Sequence, residues 1–258
     1  MEVFQDYAYY YNAFYKDKDY RGEAQIVKNF LDNYIGREKY KVLDLGCGTG
    51  AHDIELAKYV GESKINITGI DISSQMIQIA KQSAQRENCN INFEVADIRD
   101  YSTEQKYDAV VSLFHVMSYQ NSNSDFLKAL STAKSALKKD GIFIFDIWYG
   151  PGVLSDKPAV RVKKVEDENY ILYRIARPEM HVEENVVDVN YEVLIVEKST
   201  GITREIEEIH KMRYFFIPEI KYYLEQSGFE FVDCFDCNTL GKTDFNSWTA
   251  YCIAKSLS

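Results

Sequence analysis

Proline is scarce in this chain: four in 258 residues, all beyond residue 150. Cysteine is neither abundant nor even in number, with five at no framework spacing. A disulfide scaffold is therefore excluded, and free thiols in a reducing cytosol are the reading that follows. No apolar run approaches the roughly 20 residues of a membrane-spanning helix. The N-terminus carries acids and tyrosines where a secretory leader would have a basic end and an apolar stretch. The protein is expected to be soluble and cytoplasmic, with no membrane partner. Basic residues are in deficit, 30 Lys and Arg against 40 Asp and Glu, for a net charge of −10. Nucleic-acid binding rests mainly on cations that neutralise phosphates, so DNA and bulk RNA are disfavoured partners. The composition is neither disordered, collagenous nor coiled-coil. What is present is 46% hydrophobic residues, over a length that builds a sizeable core without disulfides or metal.

Between residues 40 and 147 the pattern alternates strand and helix. Lys41–Leu45 is a short apolar strand, Ala51–Val60 a helix, and Ile65–Ile70 a strand ending at Asp71. Ser73 is a good N-cap for the next helix. Ile91, Phe93 and Val95 alternate as a strand would, Asp108–Phe114 is another strand, Asp125–Leu137 a helix, and Ile142–Ile147 a further strand. Such alternation implies a parallel sheet with helices on both faces, whose ligand sits beyond the carboxyl ends of the strands. Residues 160–214 read instead as antiparallel strands with one wet face, most clearly at Val187, Val189, Tyr191, Val193 and Ile195. Pro218–Gln226 is a helix with proline at its start, and Phe229–Phe235 and Trp248–Ala254 close the chain as strands. The fold class is α/β: a doubly wound, Rossmann-like, seven-stranded sheet with its closing pair antiparallel, and an inserted antiparallel β-rich cap. The parts are an aromatic lid and helix (1–39), the ligand-binding domain (40–150 and 216–258), and the cap (151–215). Residues 1–20 hold eight aromatics: Phe4, Tyr7, Tyr9, Tyr10, Tyr11, Phe14, Tyr15 and Tyr20. They dock on the core or form a lid whose tyrosines line a pocket. Ala24, Val27, Phe30, Leu31 and Tyr34 then follow helical spacing, with Gly36 as a stop.

Gly46, Gly48 and Gly50 join the first strand to the first helix, where glycine permits a sharp turn and close backbone approach. Gly46, Gly48 and Ala51 also satisfy a relaxed dinucleotide pattern, so NAD competes for the site. Its pyrophosphate would face like charge from Asp44 at the helix N-terminus. S-adenosylmethionine, with its sulfonium and ammonium, meets no such objection. Asp71 can accept both ribose hydroxyls. Asp97 can accept the adenine amino group while a backbone amide beside it reads a ring nitrogen. Methyl transfer from a sulfonium is an in-line displacement in which the protein mainly aligns and desolvates. An amine must arrive neutral, and a hydroxyl needs a firmer base.

The nonapeptide Val42–Gly50 resembles the first motif of class I S-adenosylmethionine-dependent methyltransferases. Asp71-x-Ser73-x-x-Met76-Ile77-x-x-Ala80, Ala96-Asp97-Ile98 and Tyr107–Phe114 match the family's later blocks in order and spacing. The resemblance implies that Met76 packs near adenine and Leu113 beside the methionine end, and that Ile72 and Ile98 join the cofactor site. A narrower likeness covers most of the chain. Tyr11-Asn-Ala-Phe-Tyr15, Lys18-Asp-Tyr20 and Glu23-Ala24 are similar to the opening of bacterial amino-sugar N-methyltransferases of the desosamine and mycaminose type. Related capsule and surface-polysaccharide methyltransferases share this plan. This implies that Tyr15 faces the methyl-transfer site and that Tyr20 touches the cofactor carboxylate. Trp148-Tyr149 departs from the paired tryptophans of the sugar enzymes.

His115, just past the fourth strand, is the candidate base or acceptor partner, with Tyr119 in the same loop. Tyr15 can shield a developing cation. Trp148 and Tyr149 are expected to wall the acceptor pocket, and Arg213 to hold an acceptor phosphate, with Arg161, Lys163 and Lys164 as lesser helpers. His52, on the helix after the glycine loop, is expected on the helix surface or near the cofactor, and Glu205, Glu207 and Glu208 on a wet strand face. The function that follows is methyl transfer to the amine of a small phosphate-bearing metabolite or nucleotide-linked amino sugar, in capsule or surface-polysaccharide synthesis. A sugar O-methyltransferase and a non-catalytic S-adenosylmethionine-binding protein are the alternatives, and a homodimer stays open.

Overall fold

Strand β1 (Tyr40–Leu45) is buried at every position but Lys41, and β4 (Tyr107–Ser112) is buried throughout. Runs of that kind can only sit in the middle of a sheet covered on both faces. In the computed structural model, which describes residues 8–257, β1 pairs in parallel with β2 (Ile65–Asp71) on one side and β4 on the other. Strand β3 (Asn92–Val95) lies beyond β2, and β5 (Leu137–Tyr149) beyond β4. The chain reverses direction of winding between β1 and β4, which opens a crevice at their carboxyl ends. Alternate side chains of β1 serve different cores. Val42 packs with helices α2 (Tyr20–Tyr34), α3 (Ala51–Val60) and α4 (Ser74–Arg86), and Leu43 with α5 (Asn123–Ala136) and α7 (Ile217–Gln226).

The closing strands β10 (Phe229–Asp236) and β11 (Thr249–Ser256) are antiparallel, and β11 pairs with β5. The sheet holds eleven strands rather than the seven expected. The extra four are the antiparallel β6 (Arg161–Glu166), β7 (Tyr170–His181), β8 (Val186–Glu197) and β9 (Thr203–Phe215). They are not a separate layer: Tyr214 and Phe215 of β9 pair in parallel with Trp148 and Tyr149 at the end of β5. Strand β5 runs past the core, and its last residues carry the cap. A short helix α6 (Gly150–Ser155) opens the insertion. Its Gly152 packs on the chain at Ser247, where a Cβ would lie 1.9 Å from a carbonyl oxygen.

Helix α2 follows the expected spacing, burying Ala24, Val27, Phe30 and Leu31. Asp19 caps its start by accepting a hydrogen bond from the Gly22 amide at 2.8 Å, and Gly36, at φ +62°, ends it. Helix α1 (Ala8–Phe14) docks on the cap rather than on the main core. Phe14 packs with Leu172, Val193 and Ile195, and Tyr10 meets Tyr170 edge-on. Phe4 and Tyr7 lie outside the described residues, as does the side chain of Tyr9.

Phe14 is fully buried in this satellite cluster. Phe14→Ala should weaken the docking of α1 by about 3 kcal/mol. Hydrogen exchange of the α1 amides should accelerate on the order of a hundredfold, while amides of β1 and β4 keep their protection.

Candidate functional site

The loop after β1 turns through three left-handed glycines, Gly46, Gly48 and Gly50, at φ +86°, +55° and +72°. It is pinned to β2: the Gly46 and Cys47 amides donate to the Ile70 carbonyl at 2.8 and 2.9 Å. The Gly48 amide donates to Asp71 Oδ2 at 2.9 Å, and the Ser73 amide to Asp71 Oδ1 at 2.8 Å. A Cβ on Gly46 would come within 2.5 Å of Val116, so the loop packs directly on the turn that follows β4. Burial pushes the Asp71 carboxyl upward, against the two amides that favour its charge. Each of its oxygens keeps acceptor capacity for a further donor.

This loop floors a cleft of about 480 Å³, whose lining includes Tyr20, Asp71, Met76, Asp97, Ile98 and Leu113. That volume lies within the roughly 300–1,000 Å³ of small-molecule sites. Ile72, expected in the site, also lines it and is 57% exposed, an apolar face presented to a ligand rather than to the core. Asp97 is clasped by Arg99, whose Nε lies 2.9 and 3.0 Å from its two oxygens. That pairing holds the Asp97 carboxyl below its ordinary range. Arg99 itself lines the cleft and was not anticipated.

Asp44 requires a correction. It lies beneath the loop, buried, and is absent from the cleft lining. Its partner is Asp53 of α3: burial and the neighbouring acids Asp53, Asp71 and Asp146 push Asp44 well up. Burial pushes Asp53 up to about 7, against the hydrogen bond from Asp44. Burial and mutual charge thus favour a proton shared between the two acids, beneath the loop and out of reach of the cleft.

His52 is no surface residue. It lines the cleft, meets Tyr20 edge-on at 4.8 Å, and is ion-paired with Glu23. Burial would raise Glu23, but His52 and Lys18 outweigh it and hold the carboxyl at about 2. Burial raises the Tyr20 hydroxyl. The lid joins the loop directly, through Thr49 Oγ1 donating to Asn12 Oδ1 at 2.8 Å.

Beside Leu113 lies an aromatic cluster, of which Phe114 and Tyr119 line the cleft while the candidates Tyr15, His115 and Trp148 stand behind them, outside its lining. Phe114 and His115 adopt left-handed backbone at φ +63° and +68°, a conformation that bulky residues reach only where the surroundings enforce it. The His115 amide donates to Asp146 Oδ1 at 2.8 Å, and its Nδ1 lies 2.8 Å from Oδ2. Buried Asp146 thus holds the His115 backbone and lies beside the ring, whose Nδ1 makes no aligned hydrogen bond. Tyr15 stands edge-on to Phe114 at 5.0 Å, and its hydroxyl accepts from Arg174 at 2.9 Å. Tyr119 lines the cleft from the 3₁₀ turn Val116–Tyr119, with its hydroxyl 2.7 Å from His210 Nδ1. Trp148 lies edge-on to His115 and pairs with Trp248 at 4.7 Å. A tryptophan pair is thus present, with its second member supplied from just before β11.

Two acceptor-side expectations are corrected. Tyr149 alternates away from Trp148 and packs on the core under α5 and α7. Arg213 is buried in a strut: it donates to Glu219 at 2.7 Å and Asn123 at 2.8 Å, and stacks over Phe215. It joins the cap to α5 and α7, buried and away from the cleft lining. The cap cation that faces the cluster is Arg174, between Tyr15 and Tyr191. Lys163 is spent on the Phe14 carbonyl, pinning α1. Glu205 and Glu207 are exposed as expected, but Glu208 is buried against His210.

A family model described as a methyltransferase domain matches residues 37–212. The dTDP-3-amino-3,6-dideoxy-alpha-D-glucopyranose N,N-dimethyltransferase of Streptomyces fradiae is 26% identical over 200 residues, covering 78% of this chain and 73% of that protein. Among solved structures, an S-adenosylmethionine-dependent methyltransferase from Clostridium acetobutylicum ATCC 824 shares the fold at TM-score 0.80 and 19% identity, over 100% of both chains. The sugar N-methyltransferase KedS8 from Streptoalloteichus sp. ATCC 53650 does so at 0.79 and 19%, over 96% of this chain and 93% of that one.

Asp71→Asn should weaken S-adenosylmethionine binding by about tenfold to a hundredfold, the 1.5–3 kcal/mol of hydrogen bonds to a charged group, as read by titration calorimetry. Glu23 makes a pH prediction. Its folded pKa lies below the unfolded value of about 4.3, so its stabilisation is present above that pH and is lost as pH falls through about 2. Glu23→Gln should therefore lower the melting temperature at pH 7 and flatten its decline between pH 5 and pH 3.

Proposed function

Because the chain belongs to the methyltransferase-domain family and depends on S-adenosylmethionine, we propose that it methylates the amine of a small, phosphate-linked amino sugar. The observation that carries this reading is the aromatic cluster in which Tyr15, Phe114, His115 and Trp148 touch one another in series, with Phe114 lining the cleft. The family resemblance of the opening residues and the Streptomyces fradiae amino-sugar relative support it. We place the reaction in capsule or surface-polysaccharide synthesis on that same resemblance.

The residues present fit the cofactor. Asp71 takes the ribose hydroxyls, Asp97 and the Ile98 amide the adenine edge, Ile72 and Met76 its faces, and Tyr20 with the loop amides the carboxylate. When bound, the cofactor supplies a methyl group already activated by its sulfonium. The protein's part is alignment and exclusion of water. Nitrogen gains positive charge as the N–C bond forms and the S–C bond breaks, and the faces of Tyr15 and Phe114 favour that charge. His115, beside Asp146, and Tyr119 hold the acceptor in line. The phosphate handle is met from the cap edge, where Arg161 is exposed.

A sugar hydroxyl is the second reading, and the Asp146 carboxylate 2.8 Å from His115 Nδ1 favours it. Methyl-labelled cofactor should be incubated with a nucleotide-linked amino sugar and with its hydroxyl counterpart, and the products read by mass spectrometry. Label on the amine and none on the hydroxyl compound is expected. Labelling of the hydroxyl compound alone would reverse the assignment. His115→Ala with Tyr119→Phe should slow amine methylation on the order of a hundredfold.

A further inference from the structure

Strand β9 is inside out at one point. Ile209 is 44% exposed, while its neighbours Glu208 and His210 are 8% and 2% exposed. Burying an acid and a histidine while an isoleucine faces water reverses the ordinary preference and costs stability unless the polar groups are paired. They are paired, and in a line. His210 Nε2 lies 2.9 Å from Glu208 Oε2, and His210 Nδ1 lies 2.7 Å from the Tyr119 hydroxyl. Tyr119 in turn lines the cleft. The line joins the cap, by β9, to the turn after β4, so neither half of the molecule holds it alone.

We infer that Tyr119, His210 and Glu208 form a relay that carries the acceptor's proton out of the methyl-transfer site; this rests on the amine reading above. An ionised carboxylate only accepts hydrogen bonds, so Glu208 fixes the proton of neutral His210 on Nε2. Nδ1 then accepts from the Tyr119 hydroxyl, and Tyr119 lines the cleft. An acceptor held there as an ammonium ion gives a proton to the Tyr119 oxygen while the tyrosine's own proton passes to Nδ1. The ammonium loses one positive charge and the imidazole gains it, beside the Glu208 carboxylate. The freed nitrogen lone pair attacks the methyl group, and sulfur keeps the electron pair of the broken bond. The proton leaves His210 for solvent when product departs. Tyr119 is the catalytic residue here, and His210 and Glu208 are positioning residues that act through it.

The surroundings of His210 are consistent with this task. Tyr191 of β8 lies edge-on at 4.7 Å, and Arg174 of β7 sits over the far ring of Tyr191 at 5.0 Å. Tyr15 of α1 shares that guanidinium, and Glu208 is the acid in contact. The outward-facing Lys211 is turned to Asp188. The carboxylate thus stands closer to the imidazole than the guanidinium does.

Two measurements test the relay. Nitrogen NMR of the histidine-labelled full chain, with His210 assigned by its loss in His210→Gln, should show the Nε2–H tautomer. A proton on Nδ1 at neutral pH would overturn the proposal, whether or not an acceptor has been found. The second is the pH profile of amine methylation. Tyr119→Phe and His210→Gln should lower kcat on the order of a hundredfold near pH 7 with KM for S-adenosylmethionine unchanged. The deficit should close as pH rises above the pKa of the amine, which then arrives neutral. Variants that bind S-adenosylhomocysteine and melt as the parent does, yet lose rate equally at every pH or lose none, would refute it. A parent that methylates no amine at all would instead remove the functional reading, while the tautomer still decides the relay.

Discussion

The cleft depends on the attachment of the glycine loop to the end of β2. Three backbone amides of the loop are held there, two by the Ile70 carbonyl and one by the Asp71 carboxylate. Without them a run of left-handed glycines would sample many conformations. With them the loop is fixed against Val116, and that contact passes its position to the turn carrying His115 and Tyr119. Asp71 serves both purposes, tying the loop and offering its remaining lone pairs to a ribose. The same anchoring thus sets the cofactor and acceptor ends of the cleft.

A second constraint is the length of β5. Its first buried residues belong to the core sheet, and its last two pair with β9. That continuation decides which way each terminal side chain turns. Trp148 faces the aromatic cluster and Trp248, whereas Tyr149 faces the core. Alternation on β9 then places Glu208 and His210 inside. The cluster is therefore assembled where parallel and antiparallel pairing meet, and its polar residues come from both.

Local signals carried most of the fold. The Ala51–Val60 helix, the Ser73 cap and the proline-started α7 stand where their spacing puts them, because each depends on neighbours within a turn or two. Gly46, Asp71 and Leu113 likewise stand at strand ends and line the cleft, where their spacing puts them. The acceptor side was misread wherever a side chain's fate is set by a distant partner. Arg213 reads as an available cation until Glu219 and Asn123 are brought to it. Asp44 reads as a ligand until Asp53 packs beneath the loop. Tyr119 and His210 lie 91 residues apart, and no spacing rule joins them. The phase of alternation on β9 was the available clue, since Glu208, His210 and Met212 share one face, but which face is inner depends on the strand beside it.

Helix α1 rests its apolar side on the cap through Phe14 and reaches the glycine loop through Asn12. The cover over the nucleoside and the roof over the acceptor are thus one piece of furniture. A displacement of α1 would therefore disturb both contacts at once, coupling the two ends of the cleft through a single short helix.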